Sequence, residues 1–281
     1  MRDLVKISRD LSSPSLQTDY DPILADLSLH KTNAVRAGDE AEAKRIWCIE
    51  HAAEVQQLYH QAYRFLQASQ FYDAWRKLEQ VELGLNRLRR HDTEHWSSFY
   101  LNFIDSKTKA IQGLYPYKIF MSPEFVELQK KCNICERPIS IRNPCGHKVG
   151  EIYNGEYCFR IVTDFEVVGM AFVESPVQKY SVAFMADPKT GGMVDQYNYS
   201  TVKYLYDRWP SPYHDWQVEW TKSLHPKHLF GTLRRNEKCP CDSGKKYKNC
   251  CMNLNGIIRP HAVFDFKYPI NPSLQRVELS Y

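Results

Sequence analysis

The chain has 281 residues, 43% of them hydrophobic and 25% charged, with nine cysteines and a formal net charge of +4. That length allows one large domain or two to three small ones, and the apolar share suffices for an ordinary core, which excludes a wholly disordered chain. No apolar run approaches the roughly 18 residues of a membrane span, and the opening MRDLVKISRDLSSPS lacks the apolar stretch of a secretory signal. A cytoplasmic protein is expected. Its reducing surroundings disfavour disulfides and turn clustered cysteines into candidate metal ligands.

Residues 1 to about 35 scatter Leu4, Ile7, Leu11, Ile23 and Leu27 among Ser, Asp and Pro, which predicts an irregular arm with one short helix. From Asp39 to about Arg90 the pattern turns helical. Ala52, Val55, Tyr59, Ala62 and Leu66 recur every three to four residues, as do Leu78, Val81, Leu85 and Leu88. Two antiparallel helices broken near Ala68-Ser69-Gln70 are expected. The stretch AYRFLQASQFYDAWRKLEQVE resembles a single tetratricopeptide-type hairpin, but no second copy follows at that period. A third helix is expected from Asp92 to about Gln112, capped by Asp92 or Thr93. Ser122-Pro123-Glu124 predicts a short helix to Lys131, with Pro in the first turn.

Cysteines then crowd the chain: CNICERPISIRNPCGHKVGEIYNGEYC, residues 132 to 158. Cys132 and Cys135 form a C-x2-C knuckle, and Cys145, His147 and Cys158 compete for the remaining places around a metal ion. A type I′ turn at Asn154-Gly155 would fold 151–153 against 156–158 and return Cys158 towards the histidine. The run from His147 through Gly150, Tyr153 and Gly155 to Cys158 resembles a zinc-hairpin pattern of phage and bacterial proteins. That resemblance favours Cys132, Cys135, His147 and Cys158, with Cys145 in reserve. The start of a RING spacing is also present, without the later ligand pairs that a second ion would need. Cys48, alone on an apolar helical face, reads as core.

Downstream, FRIVTDF, VVGMAFVE and YSVAFMA predict a small antiparallel sheet continuing the zinc hairpin. Short helices are expected around Thr201–Trp209 and Asp215–Ser223. Trp209, Tyr213, Trp216 and Trp220 either pack a small domain or stack nucleobases. The segment from Leu254 to Tyr281 could return as a strand.

Near the C-terminus, RNEKCPCDSGKKYKNCCM (235–252) gathers four soft sulfur ligands around a Gly-containing turn, as a tetrahedral zinc ion requires. Residues 239–251 resemble the SEC-C motif, the metal-binding module at the C-terminus of the SecA translocation motor and of many other bacterial proteins. The resemblance implies metal ligation by Cys239, Cys241, Cys250 and Cys251, with Asp242 replacing the usual Gly. It further implies docking on a SecB-like chaperone or on ribosomes. Arg235, Lys238, Lys245, Lys246 and Lys248 are the candidate partner-binding residues, suited to an acidic protein face or to RNA phosphate. No G-x-x-x-x-G-K-[ST] phosphate loop accompanies the motif.

The expectation is an α+β protein: a helical domain over 1–131, a zinc-binding α+β domain over 132–230, and a SEC-C module with its tail over 231–281. Two zinc ions and an adaptor role through protein–protein interaction follow from it. Nucleic-acid binding is the first alternative. A metal-dependent hydrolase or nuclease linked to phage defence, built on His225, His228, Asp195 or Asp207, is the second. The enzyme reading is disfavoured, because no grouping of nucleophile, base and orienting residue is legible.

Overall fold

Five helices lead the chain, up to Gln112, in a computed structural model that describes residues 2–92 and 95–270. They are α1 (Leu4–Leu11), α2 (Asp21–Arg36), α3 (Glu40–Gln67), α4 (Phe71–Leu88) and α5 (Leu101–Gln112). Two helices therefore stand where an irregular arm with one short helix was expected. Asp3 starts α1 by accepting a hydrogen bond from the Val5 amide, and Pro22 sits in the first turn of α2 where its missing N–H costs nothing. Ile7, Leu11, Ile23 and Leu27 are buried. Gln56 of α3 ties this arm down: its amide nitrogen donates to Leu11 O (2.9 Å) and Phe99 O (2.8 Å), and its oxygen accepts from Tyr20 (3.2 Å).

α3 and α4 form the expected hairpin, turned at Ala68, Ser69 and Gln70, with Ser69 at φ +56°. The predicted stripes of both helices are buried against each other. Gly84 permits the closest approach, since a Cβ there would lie 2.7 Å from Val55 Cγ2. The third helix is shorter than expected. Asp92 caps a preceding turn, accepting from the His95 amide at 3.0 Å, and Tyr100 at φ +59° separates that turn from α5. Thr93, the other expected cap, lies outside the described residues.

The helix expected after Ser122 is instead a strand. β1 (Phe120–Cys132) pairs antiparallel with β4 (Arg160–Val173), from Phe120↔Val173 to Cys132↔Arg160, with register shifts at Val168, Leu128 and Thr163. The Ser-Pro-Glu signal is local, whereas a β-branched and aromatic partner strand begins only at Arg160 and overrides it. Pro123 is tolerated because the outer edge of β1 at that point pairs with nothing in the sheet. Between these strands lie β2 (Ile152–Tyr153) and β3 (Glu156–Tyr157), joined by Asn154 at φ +50° and Gly155 at φ +69°, the two positive angles of the expected I′ turn. FRIVTDF and VVGMAFVE merge into β4. YSVAFMA contributes a bridge from Val182 to Phe120 and the two-residue β5 (Met185–Ala186), which pairs with β6 (Met193–Val194).

The described chain divides into two compact units, residues 1–197 and 198–281. In the second, α6 (Ser200–Tyr206) is followed by β7 (Trp216–His225), where a helix was expected, and β8 (Ile257–Phe266) pairs with β7 in ten unbroken steps. The tail thus supplies the partner that makes residues 216–225 extended. Trp209 and Trp216 are buried edge to face at 5.9 Å, which gives them the packing role, while Trp220 stays half exposed. Among the described residues, six α-helices and paired antiparallel strands make the protein mixed α+β. Among the described residues no helix is long and apolar enough to cross a membrane.

Candidate metal centres

Each long ribbon carries a cysteine cluster at its tip. Beyond the last β7–β8 pair, His225↔Ile257, the chain forms a 3₁₀ turn (Lys227–Phe230) and then the tight loop of residues 235–253. Lys238 bridges to Lys246, the Cys239 amide donates to Lys245 O (2.8 Å), and the Tyr247 amide donates to Glu237 O (2.8 Å). This turn sets Cys239 and Cys241 opposite Cys250 and Cys251, and all four sulfurs lie within 4.8 Å of one another. The sulfurs of Cys241 and Cys250 are 3.4 Å apart, and those of Cys250 and Cys251 are 3.8 Å apart. A tetrahedral ion with metal–sulfur bonds of about 2.3 Å needs edges of about 3.8 Å, so the donor set fits.

The thiols also form the core of their own module. Cys239 and Cys251 are buried with Tyr247 and Ile257, and Phe230, Leu233 and Met252 pack around them. Gly256 lets the chain pass close, since a Cβ there would meet His225 O at 2.6 Å. Asp242 adopts the left-handed conformation at φ +59°, which explains why Gly suits this position. Its carboxylate is held at 2.5 Å by Arg259 of β8, which also donates to Pro240 O (2.6 Å). Burial pushes the Cys241 thiol up, but hydrogen bonds from Ser243 and from the Cys239 and Cys250 thiols outweigh it and bring it down to about 6. Burial pushes Cys251 up to about 12. Arg235, Lys238, Lys245 and Lys246 are exposed around the cluster, and Lys248 is half buried.

At the tip of the β1–β4 ribbon the ligand atoms of Cys132, Cys135, Cys145 and His147 lie within 4.8 Å of one another, with His147 Nδ1 3.7 Å from Cys132 Sγ. Cys145, the reserve ligand, stands in this quartet. Cys158 is buried against the quartet, its thiol raised by burial and by the neighbouring Cys132 thiol, and the Arg160 guanidinium donates to Cys158 Sγ (3.5 Å) and to His147 O (2.5 Å). The β2–β3 hairpin does bring Cys158 back, through its amide bond to Glu151 O (2.8 Å). Two short turns aim the quartet: Glu136 at φ +58° closes the knuckle, and Gly146 at φ +84° lets Cys145 and His147 face one point. Asn133 clamps the knuckle, donating to Tyr157 O (3.0 Å) and accepting from the Phe159 amide (2.8 Å). Burial raises the Cys132 thiol, but the amides of Cys135 and Ile134 and the Cys145 and Cys135 thiols bring it down to about 6.

This tip is docked on the helices. Tyr157 stacks on Trp47 of α3 at 5.9 Å, His91 Nε2 meets Gly150 O at 2.7 Å, and the Asn154 amide donates to Glu40 (3.1 Å). Asn133, Arg160 and the Asp242–Arg259 pair were not singled out in the sequence. Only the C-x-H spacing of Cys145 and His147 hinted that these two act as one local pair. Cys48 is core as expected, its thiol raised to about 12 by burial.

Three of the four residues considered for catalysis have local partners. His225 Nε2 meets Ser223 Oγ at 3.0 Å, and Asp207 is ion-paired to Lys203 at 3.0 Å. Asp195 accepts from the Tyr197 amide in the other compact unit, and His228 lies in the 3₁₀ turn.

The SEC-C motif family matches residues 235–253. Over 30 residues the chain is 57% identical to the protein translocase subunit SecA of Azobacteroides pseudotrichonymphae genomovar. CFP2, a stretch covering 11% of this chain and 3% of that protein. No solved structure matches. Residues 235–253 are thus a SEC-C motif, a metal-binding module, and the likeness to SecA is a short stretch in the same region.

Proposed function

We propose that this protein is a non-enzymatic adaptor that holds two structural zinc ions and uses its SEC-C module to dock a protein partner. The observation that carries this reading is the closed thiol set of Cys239, Cys241, Cys250 and Cys251 inside a ring of exposed lysines and arginines. Four protein ligands leave no open position for chemistry, so the ion would fix the fold while the cations meet the partner. Zinc is favoured by the thiolate-rich donor sets and their tetrahedral spacing. At the central site Cys132, Cys135 and His147 are ligands, with Cys145 as the fourth and Cys158 held behind it by Arg160. Metal analysis separates the two cysteines: Cys145→Ser should drop the content from two ions per chain to one, and Cys158→Ser should leave two. The opposite result assigns the place to Cys158.

A SecB-like chaperone and the ribosome are the partners to test, because the likeness to a translocase subunit lies in the region of the docking module. Lys245→Glu with Lys246→Glu should abolish binding to one of them while both ions stay bound. Retention of binding by the charge-reversed protein removes the adaptor reading. Binding to RNA that falls steeply with salt would favour a nucleic-acid role for the same cations.

A further inference from the structure

The β1–β4 ribbon has two unlike faces. Following the alternation of β1, one face carries Phe120, Ser122, Glu124 and Val126 opposite Val173, Ala171, Gly169 and Glu166. Phe120 is buried, so the base of this face belongs to the core. The other face carries Met121, Pro123, Phe125 and Glu127 opposite Phe172, Met170, Val167 and Phe165, with Val168 bulged beside Val167. Nearly every position on it is apolar. Its only charged member, Glu127, sits at one end and is ion-paired to Lys130 at 2.7 Å.

This apolar face is open. Exposure is 46% for Phe125, 57% for Phe165, 62% for Val167, 64% for Met170 and 72% for Phe172. With side chains of ordinary size these fractions leave roughly 700 Å² of contiguous surface, more than the roughly 300–600 Å² of the largest apolar patch on a typical monomer. It is close to the roughly 800 Å² that each partner brings to a standard interface. Phe125 and Phe165 meet edge to face at 6.0 Å towards the Glu127 end of the face, an aromatic anchor of the kind found in interface cores. A two-stranded ribbon with a bare apolar face is at best marginally stable in water, so a cover would also stabilise the strands.

We propose that this face is covered by the same face of a second copy of the chain, the two ribbons stacking about a two-fold axis. A like-on-like contact is favoured by the chemistry. The patch has no charge at its centre to repel its twin or to select a charged partner, and its area is what a stable dimer needs. Face-to-face stacking about the axis would oppose the two Phe125–Phe165 pairs and bury both copies of Met170 and Phe172.

The test is sedimentation equilibrium of the full-length, metal-loaded protein. Wild type should sediment as two 33.0 kDa chains. Phe165→Lys and Met170→Lys place a cation on a face that is solvated in the monomer and closed in the dimer, and each should raise the dissociation constant at least about a hundredfold. Val126→Lys, on the other face opposite Glu166, should leave the dimer unchanged. Circular dichroism and metal content check that each variant is folded. A readout on wild type needs no variant: peroxide should convert Met170 to its sulfoxide several-fold more slowly at dimer than at monomer concentration. A monomer at every concentration, or a dimer that survives both lysine substitutions, overturns the proposal. So does a Met170 oxidation rate that is independent of concentration.

Discussion

The two cysteine clusters occupy the same place on two ribbons yet are supported in different ways. At the tip of β7–β8 the thiols are themselves the core, with only Tyr247, Ile257 and a few half-buried neighbours around them. At the tip of β1–β4 the cluster leans on a preformed helical body through Trp47, His91 and Glu40. A module of some twenty residues cannot bury enough apolar surface to hold itself, so its ligands must supply the folding energy. A loop docked on helices can borrow that energy. One centre should therefore be lost with its metal, and the other should partly survive.

Metal removal is the strongest way to break this contrast. Chelation should abolish amide-exchange protection over residues 235–253, an effect worth up to about 10 kcal/mol for a small zinc module. Protection of β2 and β3 should fall less and that of α3 and α4 hardly at all. Equal loss at both tips would show that docking contributes nothing.

Trp47→Ala tests the docking from the other side. Removing this buried ring should cost about 3–5 kcal/mol of helical stability and release the β2–β3 hairpin while leaving the SEC-C motif protected. Unfolding followed by helical circular dichroism, with exchange at both tips, measures both parts.

Acid should weaken the supporting helices apart from the thiols. Burial, aided by nearby Arg64, depresses His60 to about 4 from its usual 6.5. The folded state keeps this ring neutral while the unfolded chain takes up a proton below about 6.5. Stability therefore declines as pH falls from 6.5 towards 4, by on the order of 2–3 kcal/mol. Denaturant midpoints of the helical signal should follow that window, and His60→Leu should flatten it.

The smallest effect expected is that of Asp242→Gly. Glycine relieves the left-handed backbone but loses the ion pair to Arg259, whose Asp242 side is largely exposed, so the two changes should cancel to within about 1 kcal/mol. Thermal release of metal from the C-terminal site would reveal an imbalance.

The features legible in the sequence were those set by neighbours along the chain. The α3–α4 hairpin follows from apolar spacing, the I′ turn from Asn154-Gly155, and the SEC-C cluster from four cysteines so close together that almost any compact turn unites them. What the sequence hid depended on distant partners. Ser122-Pro123-Glu124 and residues 215–223 carry local helix signals, yet both are strands, because β4 and β8 offer pairing that no window of ten residues contains. The same holds for the central quartet. Five donors within one segment satisfy the spacing rule, and the packed tip gathers the ligand atoms of Cys132, Cys135, Cys145 and His147 within 4.8 Å while Cys158 lies against Cys132 and Arg160. Short-range geometry is encoded by the residues that form it, whereas a choice among equivalent donors or between strand and helix is made by the tertiary contacts each alternative can reach.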